Sequence, residues 1–548
     1  MTAATAVRGA DEAGLGTLAG TGKLLRFQAR RSRLYLLGWL LGLAGGTWTM
    51  AATFPGLYPD AADREAYAVT VNTPALRSMT GPETYIEAYG ASTGAMFAHQ
   101  MLMWTGALTA VMFVLLVIRL TRADEETSRS EVFRSQPVGR RADLAAALLL
   151  AAIAAVVLGA LMALAVAALP GDQGASAVLY GLGHTAVGIV FASLAAVTAQ
   201  LASYASSASG IGFAVLGWSA LTAGMGGAQG NWVSWLSPIG WTQLTYVYTP
   251  EQRWWPLALA AAFAAVAVAV AFTLVTRRDF GLGMLPGRLG SPEAKPGLRS
   301  ATALTFRLTR GLTIAGAVTM VFLGVAFGSV LGGADEMLDG LSEMERAVID
   351  QGGSSIEENV AATFSALNGL FAALFGLLVI SRARKEEIQG RGELIAATAV
   401  GRAGWPGSYL PAALWTGTIA VLVAGVCLGA VGSMSTGDSS FFGLLIAAAA
   451  AQLPAVWTLI GFAFAAYAWL PRLGWLRWLA WVWVFVVLYF GEMLKMPGWA
   501  TGISPFDHLA NYPAADMDWV AAGLVALVAA ALIALGYLGA RRRDLHFS

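Results

Sequence analysis

The sequence is poor in charged residues and in the residues that most often bind metals or perform catalysis. Only 12% of its 548 residues are Asp, Glu, Lys or Arg, against roughly 25% in average soluble domains. Cys427 is the single cysteine, which excludes a disulfide within the chain. The four histidines, His99, His184, His508 and His546, are scattered along the chain. We therefore expect no metal site, and no nucleophile–base pair that would indicate an enzyme.

A nucleotide-binding motif is also missing. The stretch Gly16–Lys23 reads GTLAGTGK, which approaches a phosphate-binding loop. That motif needs Gly four free positions before Gly-Lys, and Ser or Thr afterwards. Thr17 and Leu24 occupy those two positions. We therefore expect no nucleotide and no cofactor bound by this chain, and nothing indicates nucleic acid as a partner.

Hydrophobic residues dominate instead. They make up 57% of the chain, and the mean hydropathy is +0.63. Runs long enough to cross about 30 Å of hydrocarbon predict an all-α polytopic membrane protein. We predict twelve transmembrane helices, six in each half, at 34–54, 96–118, 142–168, 176–203, 208–227, 255–275, 311–332, 359–380, 408–432, 441–469, 475–495 and 518–540.

The predicted organisation is two six-span repeats with polar segments around them. Residues 1–33 form a cytoplasmic segment whose basic part is either an interfacial helix or an ordinary juxtamembrane cluster. The repeats cover 34–276 and 311–540, and a cytoplasmic linker at 277–310, also with an interfacial helix, joins them. Residues 541–548 are a cytoplasmic tail.

Orientation follows from the distribution of basic residues. Of the 34 Lys and Arg residues, 29 fall on the face that holds both termini, the linker, the loops after the second and eighth spans and the 470–477 turn. Loops rich in Lys and Arg stay in the cytoplasm. We therefore predict a multi-pass plasma-membrane protein with both termini inside. The opposite loops, 55–92 and 333–358, are acidic. Their negative charge either attracts cationic substrates or, as we favour, only keeps the loops soluble.

A charged stretch occurs twice, at 122–140 and at 384–402. A constant offset of 262 superposes the copies without a gap and pairs Glu125 with Glu387. Such a match indicates two copies of one membrane unit, although inner-face loops resemble one another to some extent because they are basic. The halves also end alike, with Arg-Arg-Asp at 277–279 and 542–544, and each has Ser-Pro before its last span, at 237–238 and 504–505.

The first copy favours a short charged helix. Arg122 to Phe133 contains no Pro or Gly, and Glu125 with Arg129 forms an i,i+4 pair of opposite charge. Two such helices would give a soluble partner two docking points.

Ionisable groups are rare inside the predicted spans, and each is a functional hypothesis by default. We assign the substrate path to His99, Gln100, Asn368 and Glu492, although Glu492 is also placed to neutralise Lys495 one turn further on. A proton-coupled carrier normally needs an acid near the midplane, and the sequence offers none there. In the first span Gly38, Gly42 and Gly46 form a small-residue face that permits close helix packing.

The repeated stretch resembles the coupling segment of ATP-binding-cassette type-2 exporter permeases. The family core, Glu-Glu-x-Gly-Thr-Leu-Glu followed by Pro-Val-x-Arg, is matched in each copy at several positions. The matching residues are Glu125, Glu126, Glu131 and Pro137–Arg140 in the first copy and Glu387, Gly390, Glu393 and Val400–Arg402 in the second. Ser128 replaces the family Gly, Arg129 and Arg391 replace its Thr, and Ala399 replaces its Pro.

The resemblance implies a permease subunit, not an enzyme, that works with two copies of a cytoplasmic ATPase, in which ATP and Mg²⁺ are bound. It implies that the second and fifth spans of each half line the substrate path. The implied ATPase-coupling residues are Arg122, Glu125, Arg129, Glu131, Gly139, Arg140, Arg384, Glu387, Arg391, Glu393, Gly401 and Arg402. Charge reversal at Glu125 or Glu387 is then expected to uncouple ATP hydrolysis from transport and leave the fold intact.

The stretch YPDAADREAYA at 58–68 is similar to actinobacterial permeases of tetronasin-type antibiotic exporters. This likeness implies efflux of small hydrophobic or amphiphilic drugs and a role in antibiotic resistance. The alternative is a proton-coupled secondary drug carrier, which also has twelve spans in two halves and needs no second protein.

Overall fold

The computed structural model describes residues 17–72, 74–127, 137–167, 169, 174–285, 292–293, 297–332, 355–490 and 496–544. Over these residues all regular structure is helical, and no strand occurs among them. The chain divides into two compact units, residues 1–290 and 291–548. Each unit has its own buried apolar core.

The described residues of the first unit form six long helices. They are α1 (Thr21–Leu57), α2 (Thr93–Leu120), α3 (Ala142–Val166), α4 (Ala175–Leu201), α5 (Ala205–Gln229) and α6 (Trp255–Arg277). Short helices at Ala61–Val71, Pro74–Thr80 and Thr84–Glu87 join α1 to α2, and Arg122–Glu126 follows α2. A 3₁₀ turn at Trp232–Leu236 and a short helix at Gly240–Gln243 precede α6.

The described part of the second unit is also helical. Its long helices are α7 (Ala301–Leu331), α8 (Ile356–Ile388), α9 (Tyr409–Thr436), α10a (Ser440–Ala451), α10b (Leu453–Trp469), α11 (Leu476–Phe490) and α12 (Trp519–Arg542). Short helices lie at Glu393–Ala396, Gly404–Gly407 and Gly498–Thr501.

Eleven helical segments of the described residues are long and apolar enough to cross a membrane: α1 to α9, the α10a–α10b pair, and α12. The prediction of an all-helical, multi-pass membrane protein is therefore confirmed. The expected eleventh span corresponds to α11, which is shorter. Residues 491–495, where we expected this span to end, lie outside the described residues.

Two expected interfacial helices are absent as separate elements among the described residues. The basic stretch before residue 34 belongs to α1, which continues without interruption from Thr21 to Leu57. Residues 301–310 likewise form the start of α7. No proline interrupts either junction, so the helical hydrogen bonds continue from the polar residues into the apolar ones.

The expected continuous span at 441–469 is divided. Gln452 lies between α10a and α10b, and Pro454 is at the start of α10b. Proline has no N–H to donate, and its ring clashes with the preceding turn of a helix. The division is therefore a consequence of Pro454.

Glycines bring particular helices into close contact. A Cβ on Gly181 of α4 would lie 2.2 Å from the carbonyl oxygen of Gly159 in α3. In α7, a Cβ on Gly324 would lie 2.7 Å from the carbonyl oxygen of Ala424 in α9. The predicted small-residue face of α1 does not act this way within the first unit. No atom of the described residues lies within 4 Å of a Cβ built at Gly38, Gly42 or Gly46.

Candidate functional site

The short helix Arg122–Glu126 begins immediately after α2, with Thr121 breaking the helical backbone between them. Glu125 is buried, with 6% of its side chain exposed. Its carboxylate pairs with Arg122 at 2.6 Å. The other carboxylate oxygen pairs with Arg278, which directly follows α6.

Both arginines are held by further acceptors. Arg122 Nη2 donates to the carbonyl oxygens of Ser203, at 2.9 Å, and Gly281, at 3.0 Å. Arg278 Nε donates to Oε1 of Gln200 at 2.6 Å. One carboxylate thus faces two guanidinium groups, and backbone and amide oxygens satisfy much of the remaining donor capacity. The cluster joins the end of α2, the α4–α5 connection and the segment after α6.

The second unit has the same arrangement. Glu387, near the end of α8, is fully buried. It pairs with Arg384 at 3.3 Å and with Arg543, which follows α12. Tyr467 Oη also donates to Glu387, at 3.1 Å. Arg543 Nη1 in turn donates to the carbonyl oxygen of Tyr467 at 2.9 Å, so α8, α10b and α12 meet at this carboxylate.

We call Arg122, Glu125 and Arg278 the first clasp, and Arg384, Glu387 and Arg543 the second clasp. The offset of 262 relates their first two members, and Arg278 and Arg543 are both the second arginine of Arg-Arg-Asp. The clasps differ in one respect. The second lies on α8, which is continuous over 33 residues, whereas α2 ends at Leu120 before the first clasp begins.

The remaining predicted coupling residues are distributed around the clasps. Arg140 Nη2 donates to the carbonyl oxygen of Arg278 at 2.9 Å, and Arg402 pairs with Asp544 at 3.4 Å on the surface. Arg391 pairs with Glu386, at 3.6 Å. Glu393 and Gly401 are exposed, and Gly139 is partly buried.

Arg129 and Glu131 lie outside the described residues, and with them the expected Glu125–Arg129 pair. Glu125 is instead paired with Arg122 and Arg278. Because Glu125 and Glu387 are buried, neither carboxylate forms an exposed docking point. Reversing the charge of Glu125 or Glu387 would put a positive charge beside the two arginines of its clasp. This geometry does not support the expectation that such a variant keeps an intact fold.

His99, a predicted substrate-path residue, belongs to a packed cluster near the start of α2. Its Nδ1 lies 2.6 Å from Tyr89 Oη, and its ring stacks on that of Tyr85 with centroids 5.6 Å apart. Burial raises the pKa of the Tyr89 hydroxyl, so Tyr89 stays protonated and is able to donate to His99. Gln100 follows His99 and is partly buried.

His184 has a comparable role between α4 and α2. Its Nδ1 lies 2.9 Å from the carbonyl oxygen of Tyr180, and its Nε2 lies 2.9 Å from Thr105 Oγ1. Both ring nitrogens thus have partners within the protein. These contacts make His184 a packing residue that links two helices.

Asn368 differs from His184, and it resembles His99 and Gln100, whose Nε2 atoms also have no hydrogen-bond partner among the described residues. Only 2% of the residue is exposed, and neither amide atom has a hydrogen-bond partner in the described structure. Ser365, one turn earlier on α8, is fully buried, and its hydroxyl also lacks a partner. An unsatisfied buried polar group costs about 1–3 kcal/mol. Sequence reasoning missed Ser365, although the i,i+3 spacing from Asn368 was visible. Glu492 lies outside the described residues.

Across the described residues, no group of three or more His, Cys, Asp or Glu side chains is placed to hold a metal ion. The long apolar helices define the chain as a polytopic membrane protein whose charged groups concentrate at helix ends.

The family model described as "Multidrug efflux system permease Rv1217c, C-terminal domain" matches residues 23–275 and 298–541. The chain is also similar to the multidrug efflux system permease protein Rv1217c of Mycobacterium tuberculosis (strain ATCC 25618 / H37Rv). The two are 35% identical over 532 residues, which cover 96% of this chain and 95% of that protein. The chain therefore belongs to this family of multidrug efflux permeases.

Proposed function

We propose that this protein is the transmembrane permease subunit of an ATP-driven exporter in the plasma membrane. The observation that carries the proposal is the pair of clasps, which place a buried Glu of each repeated stretch at the junction of several long helices. Any displacement of these stretches would reach those helices. Its substrates would be small hydrophobic or amphiphilic molecules, as the relative's name, multidrug efflux permease, suggests.

A duplicated, twelve-span plan belongs to the proposal. It is supported by one family model that matches both halves and by the corresponding clasps. The excess of basic residues on one predicted face supports a cytoplasmic location of both termini. The clasps then lie at the cytoplasmic ends of their helices.

Energy would come from two copies of a cytoplasmic ATP-binding-cassette ATPase, which would bind ATP and Mg²⁺. The repeated stretches offer that partner exposed side chains, among them Arg391, Glu393 and Arg402. The buried Glu125 and Glu387 have a different task. They anchor each repeated stretch inside the permease. The exposed residues of the stretch then bind the ATPase, and the buried glutamates transmit the motion of the ATPase to the helices.

Substrate recognition would involve α8. Ser365 and Asn368 present a hydroxyl and an amide that the described protein leaves unpaired, and a substrate with donor and acceptor groups would satisfy them. Asn368 lies 19 residues before Glu387 on the same unbroken helix, about 29 Å at 1.5 Å per residue. A displacement at the second clasp would therefore be transmitted along α8 to these polar groups.

A pull-down in mild detergent tests this function. The tagged permease should recover an ATPase at two copies per chain, and ethidium efflux from cells should stop when ATP is depleted. It should continue when a protonophore removes the proton gradient while ATP is maintained. A permease that purifies alone and loses efflux with the protonophore would instead be a proton-coupled secondary carrier.

A further inference from the structure

The Arg-Arg-Asp sequence that ends each half contains one exposed and one buried arginine. Arg277 and Arg542 are exposed, whereas 4% of the Arg278 side chain and 10% of the Arg543 side chain are exposed. We propose that Arg278 and Arg543 are positioning residues for energy coupling. Each ties the last long helix of its unit to the repeated charged stretch, so that both move together. This inference rests on the proposed function, because it requires a partner that displaces the stretch.

Orientation in the membrane does not account for the buried arginines. A basic residue that keeps a helix end in the cytoplasm acts equally well when exposed, and Arg277 and Arg542 already fill that role. Burying a guanidinium group costs free energy unless it is paired and hydrogen-bonded. The placement of Arg278 against Glu125 and of Arg543 against Glu387 is therefore specific to these pairs.

Each buried arginine joins more than two elements. Arg278 contacts Glu125 after α2, Gln200 at the end of α4, and the carbonyl oxygen of Leu282, at 3.1 Å, in the segment after α6. The backbone of Arg278 also accepts the bond from Arg140 at the end of the repeated stretch. Both ends of this stretch are thus fixed to the same residue.

In the second unit, Arg543 contacts Glu387 of α8 and the carbonyl oxygen of Tyr467 at the end of α10b. Its guanidinium carbon also lies 4.9 Å from the centre of the Tyr467 ring. Tyr467 donates to Glu387 as well. The three side chains therefore form a closed set of contacts, in which removing Arg543 leaves α12 without its charged link to α8.

Chain connectivity explains why such a link is needed. The first repeated stretch is covalently continuous with α2 and α3, but Arg278 lies 153 residues beyond Glu125. In the second unit Arg543 lies 156 residues beyond Glu387. Without the ion pairs, the first stretch would be linked to the segment after α6 only by the hydrogen bonds of Arg122 and Arg140 to its carbonyl oxygens. Charge pairs inside a protein are stronger than exposed ones, so they are suited to transmit a displacement to α6 and α12.

The test compares neighbouring arginines that differ in burial. Arg278→Gln and Arg543→Gln remove the buried charges, and Arg277→Gln and Arg542→Gln are matched controls with the same change in net charge. Ethidium efflux per amount of folded permease should fall about tenfold in the first pair, as for loss of a typical coupling free energy, and stay normal in the controls. ATPase recovery and basal ATP hydrolysis should be retained.

Two further variants separate positioning from folding. Combining Glu387→Arg with Arg543→Glu restores an ion pair between positions 387 and 543, although Arg384 then lies beside a second arginine, so efflux should be higher than in Arg543→Gln but below the wild type. If Arg543→Gln does not accumulate, Arg543→Lys replaces it in the test, because lysine keeps the charge but lacks the planar guanidinium fork that holds two acceptors. Its efflux should be intermediate.

Two outcomes would overturn the inference, and they are distinguishable. Normal efflux in Arg278→Gln, Arg543→Gln and Arg543→Lys, with ATP-dependent efflux in the wild type, would overturn it alone. Wild-type efflux that persists without ATP would overturn the proposed function and this inference together.

Discussion

Replacing Glu387 with Gln should destabilise the second unit far more than the same change at Glu386, its neighbour in sequence. Glu387 is fully buried between Arg384, Arg543 and Tyr467. Its loss of charge leaves two guanidinium groups without an anionic partner. Breaking a buried ion pair costs about 3–5 kcal/mol. For a unit of this size such a loss lowers the melting temperature by on the order of 10 °C.

Glu386 is the matched control because it lies on the same helix and carries the same charge. Its side chain is 10% exposed, and it pairs with Arg382 at 3.4 Å and with Arg391 at 3.6 Å, whose side chains are 33% and 51% exposed. Both arginines therefore stay accessible to water when Glu386 is neutralised, and fully exposed pairs contribute only about 0–1 kcal/mol. Melting is measurable with a thiol-reactive dye, since Cys427, the single cysteine, is only partly exposed in the folded protein. Equal melting temperatures for the two variants would refute the assignment of Glu387 as a buried anchor.

Three further outcomes are expected. Asn368→Leu should raise the melting temperature, because it removes an amide whose nitrogen and oxygen are both unpaired, and should reduce ethidium efflux; a lower melting temperature would show that the amide has a structural partner. Gly181→Ala should prevent stable folding, because its Cβ would meet the backbone of Gly159, while Gly217→Ala, with open space around it, should melt as the wild type does. Glu393→Lys should weaken ATPase recovery in pull-downs at unchanged melting temperature; undiminished recovery would remove this residue from the docking surface.

Hydropathy predicted most of the long helices, because membrane spans need about 20 apolar residues whatever their neighbours are. The repeated stretches and the Arg-Arg-Asp endings were also visible in the sequence. The contact between each repeated stretch and the Arg-Arg-Asp ending of its half was not predicted. Glu125 and Arg278 are 153 residues apart, and no local pattern specifies such a contact. Local reasoning gave only the i,i+4 neighbour Arg129, which lies outside the described residues, and it missed the pairing of Glu125 with Arg122 and Arg278.

Glycine spacing shows the same limit. The glycines at 38, 42 and 46 and those at 324, 328 and 332 have identical spacing. The second set packs against α9, and the first has no close neighbour among the described residues of its unit. The spacing of glycines defines a small-residue face on a helix, but it does not determine which helix packs against that face. In contrast, Pro454 marked a point in the tenth span where the helix is able to break, although α1 accommodates Pro55 near its end without a break.

Fusion of the two halves into one chain has a consequence for the polar groups of α8. At the offset of 262, Asn368 corresponds to Gly106, which has no side chain to donate or accept a hydrogen bond. A transporter assembled from two identical subunits would carry this amide twice, whereas the present chain carries it once. Under the proposed function, a substrate that binds Asn368 would meet this amide in one half of the chain only, which would favour one orientation of the substrate over the other.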